Sequence, residues 1–132
     1  INDYVCVMDP CFSMYAEYAH IYQAKPICAK ANEDFSFNLD NVLNAIKEYN
    51  PKLIIISSPN NPTGIKVSEA EIRTILASTS NLVIVDEAYG EFSDECMVKL
   101  IKEYDNLMVL KTLSKTFTKN IKAICKTTIS IS

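Results

Sequence analysis

The sequence holds two glycines, Gly64 and Gly90, and a single arginine, Arg73. Neither GxGxxG nor GxxxxGK[ST] occurs, so the common phosphate-cradling loops of nucleotide-binding folds are not represented. Apolar runs such as Leu53 to Ile56 are far too short to span a bilayer. Sixteen acidic residues outnumber thirteen basic ones and the net charge is −3, which removes any electrostatic case for nucleic acid. The five cysteines, Cys6, Cys11, Cys28, Cys96 and Cys125, are odd in number, widely spaced and form no CxxC pair. That pattern speaks against both a zinc site and a disulfide framework, and it fits a reduced, cytoplasmic setting. No basic segment followed by an apolar stretch opens the chain, so export is unsupported. Ile1 stands where an initiator methionine is expected.

What is present is a core. Nearly half of the 132 residues are apolar, and the length suits one domain at most. Tyr4 to Met8 is a continuous apolar run ending at Asp9-Pro10, the pattern of a strand buried on both faces. Met14, Tyr15, Tyr18 and Tyr22 form a helical stripe after Ser13, followed by a short strand around Pro26 to Ala29 and a polar loop from Lys30 to Ser36. Leu39, Val42, Leu43, Ile46 and Tyr49 predict an amphipathic helix over 40–49, stopped by Asn50-Pro51. Lys52 to Ser57 reads as a buried strand, and the turn formers from Ser58 to Gly64 as a structured loop at its C-terminal end. Ser68 and Glu71 form a capping box for a helix carrying Ile72, Ile75 and Leu76 inward. A strand from Leu82 to Val85 ends in Asp86-Glu87-Ala88-Tyr89-Gly90. Met97, Leu100, Ile101 and Tyr104 mark a helix begun near Ser93 or Asp94, and Leu107 to Lys111 is the last strand. The alternation β-α-β-α-β-α-β-α-β predicts an α/β fold, a mostly parallel sheet with helices on both faces.

In such folds ligands bind outside the carboxyl ends of the strands. Three strand ends carry polar groups there: Asn61, then Asp86 with Tyr89, then Lys115. Lys115 follows an apolar strand and the hydroxyl-rich turn Thr112-Leu113-Ser114, a placement suited to a lysine held in a pocket. Such a lysine can lose its proton near neutral pH and form a Schiff base with a carbonyl carbon. Asp86 directly follows four apolar β residues, and a buried carboxylate is costly unless paired; a helix N-cap is the alternative role for it. A protonated ring nitrogen would satisfy Asp86, a ring oxygen could accept from Tyr89 and Asn61, and an aldehyde beside it would condense with Lys115. Pyridoxal 5′-phosphate has these parts.

Ser57-Ser58-Pro59-Asn60-Asn61-Pro62-Thr63-Gly64, Val85-Asp86-Glu87-Ala88-Tyr89 and Thr112-Leu113-Ser114-Lys115 resemble, in order and at gaps of roughly 25 and 30 residues, three signatures of the fold-type I aminotransferases. Phe12-Ser13-Met14-Tyr15, Asp34-Phe35-Ser36-Phe37 and Leu110 to Lys115 resemble stretches of the histidinol-phosphate branch of that family. The resemblance covers about residues 1–117, the middle of the family's large domain. It implies a pyridoxal-phosphate-dependent transaminase acting on an amino acid or amino-phosphate and a 2-oxo acid, in a homodimer. Lys115 would be the lysine that binds the cofactor and moves the proton between Cα and C4′. Asp86 would pair with the pyridine nitrogen, and Asn61 and Tyr89 with the phenolic oxygen. Phe12 would stack on the cofactor ring, although it reads equally as a core aromatic. Thr112 and Ser114 offer hydroxyls to the cofactor phosphate or to the turn itself. A decarboxylase of the same fold, of the threonine-phosphate type, shares these signatures, and a non-catalytic remnant or ligand-sensing module could retain them.

The family continues after its lysine with glycine and a phosphate-binding arginine. Here Thr116 to Lys122 has neither, and Lys119 or Lys122 cannot reproduce a bidentate arginine fork. The family's N-terminal phosphate-cradling turn, the arm that completes a neighbour's site and the C-terminal small domain have no counterpart in the 132 residues. The expectation is therefore a fragment: a partial cofactor-binding large domain over 1–116 and a divergent tail over 117–132, frameshifted or disordered. Such a piece should transaminate poorly or not at all, because much of the rate comes from positioning.

Overall fold

The computed structural model describes residues 3–90 and 96–112. Five strands, β1 (Tyr4–Asp9), β2 (Lys25–Lys30), β3 (Leu53–Ser57), β4 (Leu82–Asp86) and β5 (Leu107–Leu110), form one sheet in the order β2-β1-β3-β4-β5. Every pairing is parallel. Helices α1 (Met14–Ile21), α2 (Leu39–Tyr49), α3 (Glu69–Ser78) and a short 3-10 helix (Met97–Lys102) make the connections. The alternating α/β order expected from the hydrophobic pattern is the one observed.

The two faces of the sheet are covered unequally. One face packs Cys6, Ile54, Ile56, Val83 and Val85 against Val42 and Ile46 of α2, Ile72 and Ile75 of α3 and Leu100 of the 3-10 helix. On the other, Val5 and Val7 meet Ala19 of α1, with Leu53 and Ile55 only partly buried beside them. β1 is buried through four consecutive residues, as its apolar run predicts. β3, by contrast, alternates: Ile54 and Ile56 are buried while Leu53 and Ile55 are half-buried. Among the described helices α1 alone packs on that second face, so an unbroken apolar run did not guarantee equal burial.

Local chemistry sets the element boundaries. Asn38 caps α2 by accepting the Asn41 N–H at 2.9 Å, and Asn50 ends it in the left-handed region with φ 44°. At α3 the capping box is complete: Ser68 Oγ accepts the Glu71 N–H at 3.3 Å, and Glu71 Oε2 accepts the Ser68 N–H at 2.8 Å. Ser68→Ala should therefore cost about 1 kcal/mol, read as a lower urea midpoint. The helix expected after Ser13 is present, although its tyrosines are not what it buries: only Ala19 is buried, while Tyr18 and Tyr22 stand 51% and 82% exposed. One expectation needs correction. The helix expected from Ser93 or Asp94 is a 3-10 helix starting at Met97, after an extended Cys96; residues 91–95 lie outside the described set. Its start is fixed by tertiary structure, since the Met97 N–H donates to Glu87 Oε1 at 2.6 Å.

Candidate active site

The strand order places β1 and β3 side by side although β2 lies on the far side of β1. Loops leaving the carboxyl ends of β1 and β3 consequently diverge, which opens a crevice at the switch point of the sheet. Asn60 spans it, donating from Nδ2 to the Pro10 carbonyl and to Thr63 Oγ1, each at 2.9 Å. The loop after β3 closes through the Gly64 N–H on the Asn60 carbonyl at 2.7 Å, with Gly64 at φ +71°. Only glycine takes that backbone conformation without strain. The peptides preceding Pro10, Pro59 and Pro62 are cis. Asn60 Oδ1 is buried and has no hydrogen-bond partner among the described residues, an unsatisfied acceptor at the mouth of the crevice.

Asp86 ends β4, in register with Ser57 at the end of β3. Its Oδ1 accepts the Ala88 N–H at 2.8 Å and its Oδ2 accepts the Tyr15 hydroxyl proton. A turn over Ala88 and Tyr89 follows Asp86, and no described helix starts directly at it. Tyr15 is half-buried, and burial first, then the Asp86 carboxylate, pushes its phenol well above the usual tyrosine range, only partly opposed by Ser57. It therefore remains a donor across the whole working pH range and orients the carboxylate. Tyr15→Phe should lose about 1 kcal/mol of stability, visible in the denaturation midpoint, without changing the secondary structure by circular dichroism.

Asn61 and Tyr89 come together. Both line a cavity of about 320 Å³, together with Pro59, Gly64 and Lys66. Phe12 is 44% exposed, which decides against a core role, and its ring meets Tyr15 edge-on at 5.7 Å. Phe12, Tyr15 and Asp86 thus form one chain of contacts, and none of the three lines the cavity. Thr112 is half-buried two residues beyond β5. Ser114 and Lys115 lie outside the described residues, as does the tail over 117–132.

Three residues of the site escaped the sequence reading. In the sequence Tyr15 reads as one residue of a helical stripe, and nothing there sets Asn60 apart from its neighbour Asn61. Glu87 was noted only as part of a motif, yet it is buried and paired with Lys111. A signal for Glu87 existed: two successive carboxylates after a buried strand cannot both face the same way, because strand side chains alternate.

The donor set suits a flat cationic ring bearing an oxygen. Asp86 is a carboxylate held at a strand end, Asn61 and Tyr89 share one depression, and the exposed Phe12 ring meets Tyr15, the residue that donates to Asp86. On that ground pyridoxal phosphate fits the residues present.

Comparison with known proteins agrees. Residues 1–119 match the family described as aminotransferase class I and II, and the chain belongs to that family. The family is pyridoxal-phosphate-dependent. Within it, the chain is similar to histidinol-phosphate aminotransferases. That of Caldanaerobacter subterraneus subsp. tengcongensis is 42% identical over 116 residues, covering 88% of this chain and 33% of the relative. The chain therefore spans about a third of the length of the curated relatives it matches. The crystal structure of the Clostridium acetobutylicum histidinol-phosphate aminotransferase superposes with a TM-score of 0.81 at 21% identity, over 89% of this chain and 36% of that one. The Sinorhizobium meliloti enzyme, solved in complex with pyridoxal-5′-phosphate, gives 0.75 at 18% identity, over 86% of this chain and 32% of that one. At these identities the structural likeness is one of fold. Among the described residues, no helix is long and apolar enough to cross a membrane.

Proposed function

We propose that the carboxyl edge of this sheet is the cofactor-facing part of a pyridoxal-phosphate-dependent aminotransferase of the histidinol-phosphate type. The observation that carries the reading is Asp86, held at the end of β4 by the Ala88 N–H and the Tyr15 hydroxyl, where a ring nitrogen could share its charge. When bound, the cofactor supplies an electron sink for the bonds at the substrate's Cα. Asp86 keeps the proton on the ring nitrogen, since a nearby carboxylate favours the charged form. Asn61 and Tyr89, which line one cavity, would donate hydrogen bonds to the cofactor's phenolic oxygen. Phe12 offers an exposed aromatic against the ring face. Thr112 and Ser114 would supply hydroxyls for its phosphate, and Lys115 would hold the cofactor and serve as the base for the proton at the substrate's Cα. The substrates would be an amino acid or amino-phosphate and a 2-oxo acid, in keeping with the relatives' names, and a homodimer is what the family resemblance implies for the full-length protein.

Cofactor binding tests this more cleanly than turnover. The 132-residue chain should bind pyridoxal phosphate saturably, seen in the cofactor's visible absorbance. Asn61→Ala and Tyr89→Phe should each weaken it by about tenfold, the value of one lost hydrogen bond in a shielded site. Binding that is unchanged in both variants would overturn the assignment of these two residues.

A further inference from the structure

The cavity that holds Asn61 and Tyr89 carries a charge that the cofactor roles leave unused. Lys66 is the one charged side chain among its lining residues, and no carboxylate lines it. Its volume of about 320 Å³ suits a small molecule, whose sites run on the order of 300 to 1,000 Å³. Lys66 is exposed and makes no ion pair among the described residues. The acidic residues closest to it in sequence are committed elsewhere: Glu69 to Arg73 and Lys99, and Glu71 to the Ser68 N–H. Gly64 lines the cavity as well, and a Cβ there would meet nothing within 4 Å, so the wall is open backbone at that point. A second lysine, Lys47, lines a different cavity of about 540 Å³ with Ser78 and Thr79. That one lies where α2 and α3 end, and helix C-termini disfavour an anion. The Lys66 cavity is formed instead by the loop after β3 and the turn after β4.

We propose that Lys66 binds the acid group of the substrate, a carboxylate or a phosphate, in the cavity it shares with Asn61 and Tyr89. The inference rests on the function proposed above, which sets the cofactor's phenolic oxygen against those two residues. Asn61 has two amide N–H donors, so it can serve the ring oxygen with one and the acid group with the other. A lysine ammonium is a compact charge with three donors on a flexible stem, and it takes either oxyanion without a fixed fork geometry. With no counter-ion of the chain in the cavity, the cation is left for a ligand. An analogue of the same shape without the charge gives up that contact, so Lys66 sets a preference for acidic substrates.

The test follows the amide resonances of the full 132-residue chain by nuclear magnetic resonance as inorganic phosphate or 2-oxoglutarate is added without cofactor. Saturable shifts should appear at Asn61, Gly64 and Lys66. Tighter binding of phosphate would identify the acid group as a phosphate, and tighter binding of 2-oxoglutarate as a carboxylate. Lys66→Gln should weaken the binding about fivefold, the scale of one partly exposed charge contact, and Lys66→Arg should restore it. Lys47→Gln, at the other cavity, should leave it unchanged. All three variants alter exposed side chains, and the dispersion of their spectra reports that they are folded. No saturable shift at these residues with either anion, or equal affinity in Lys66→Gln and the unaltered chain, would overturn the proposal. Failure of pyridoxal phosphate to bind saturably, followed by its visible absorbance, would instead refute the cofactor reading, so the two failures are distinct.

Discussion

Asp86→Ala should weaken retention of pyridoxal phosphate by about 100-fold, because a charge-assisted contact to the ring nitrogen is worth about 3 kcal/mol when shielded. The expectation follows from how the carboxylate is held. Both oxygens are already fixed, by the Ala88 N–H at 2.8 Å and by the Tyr15 hydroxyl, so no rotamer search accompanies binding. An acceptor that is oriented beforehand loses little entropy when its partner arrives. Asp86→Asn keeps an acceptor for Ala88 but not the charge, and it should fall between the two. Equilibrium dialysis against pyridoxal phosphate measures all three proteins. Equal affinity for Asp86→Ala and the unaltered chain would mean that the ring nitrogen lies elsewhere.

Ile54→Ala should cost about 4 kcal/mol of stability, whereas Ile55→Ala should cost about 1 kcal/mol. The two residues are adjacent on the central strand and chemically identical. Ile54 is fully buried, paired in register between Cys6 and Val83 and packed in the larger core. Ile55 points to the other face, beside Val5, Val7 and Ala19, and is only half-buried. Removing Ile54 leaves a cavity as well as lost apolar burial, while a half-exposed site refills with water. Since a domain's whole stability is about 5–15 kcal/mol, Ile54→Ala should be near the limit of folding. Urea denaturation of both variants, with equal slopes, measures the contrast. Equal losses would mean that the two faces are equally well covered.

The element order was legible because it rests on period and punctuation. Uninterrupted apolar runs gave the five strands, and the Ser68–Glu71 box and Asn50-Pro51 marked helix ends that the structure shares. Strand order was not legible: parallel pairing is set by crossovers, and no residue in β1 or β3 announces that they are neighbours. Asn61, Asp86 and Tyr89 stand out in the sequence, since each is polar and lies at the end of a buried strand or within four residues of it. Their supports do not. Tyr15 reaches Asp86 across 71 residues of sequence and Asn60 reaches Pro10 across 50, contacts that exist only once the strands pair. The exposure of Tyr18 and Tyr22 shows the converse, where a helical period marked a face that the fold leaves open.

The most direct test of the cofactor site is where pyridoxal phosphate attaches among the chain's twelve lysines, the thirteen basic residues less Arg73. After borohydride reduction and peptide mapping, the label should lie at Lys115, with the remaining lysines labelled weakly and Lys115→Ala losing the visible absorbance of the bound cofactor. Label spread over the lysines according to their exposure, and unaffected by Lys115→Ala, would contradict it.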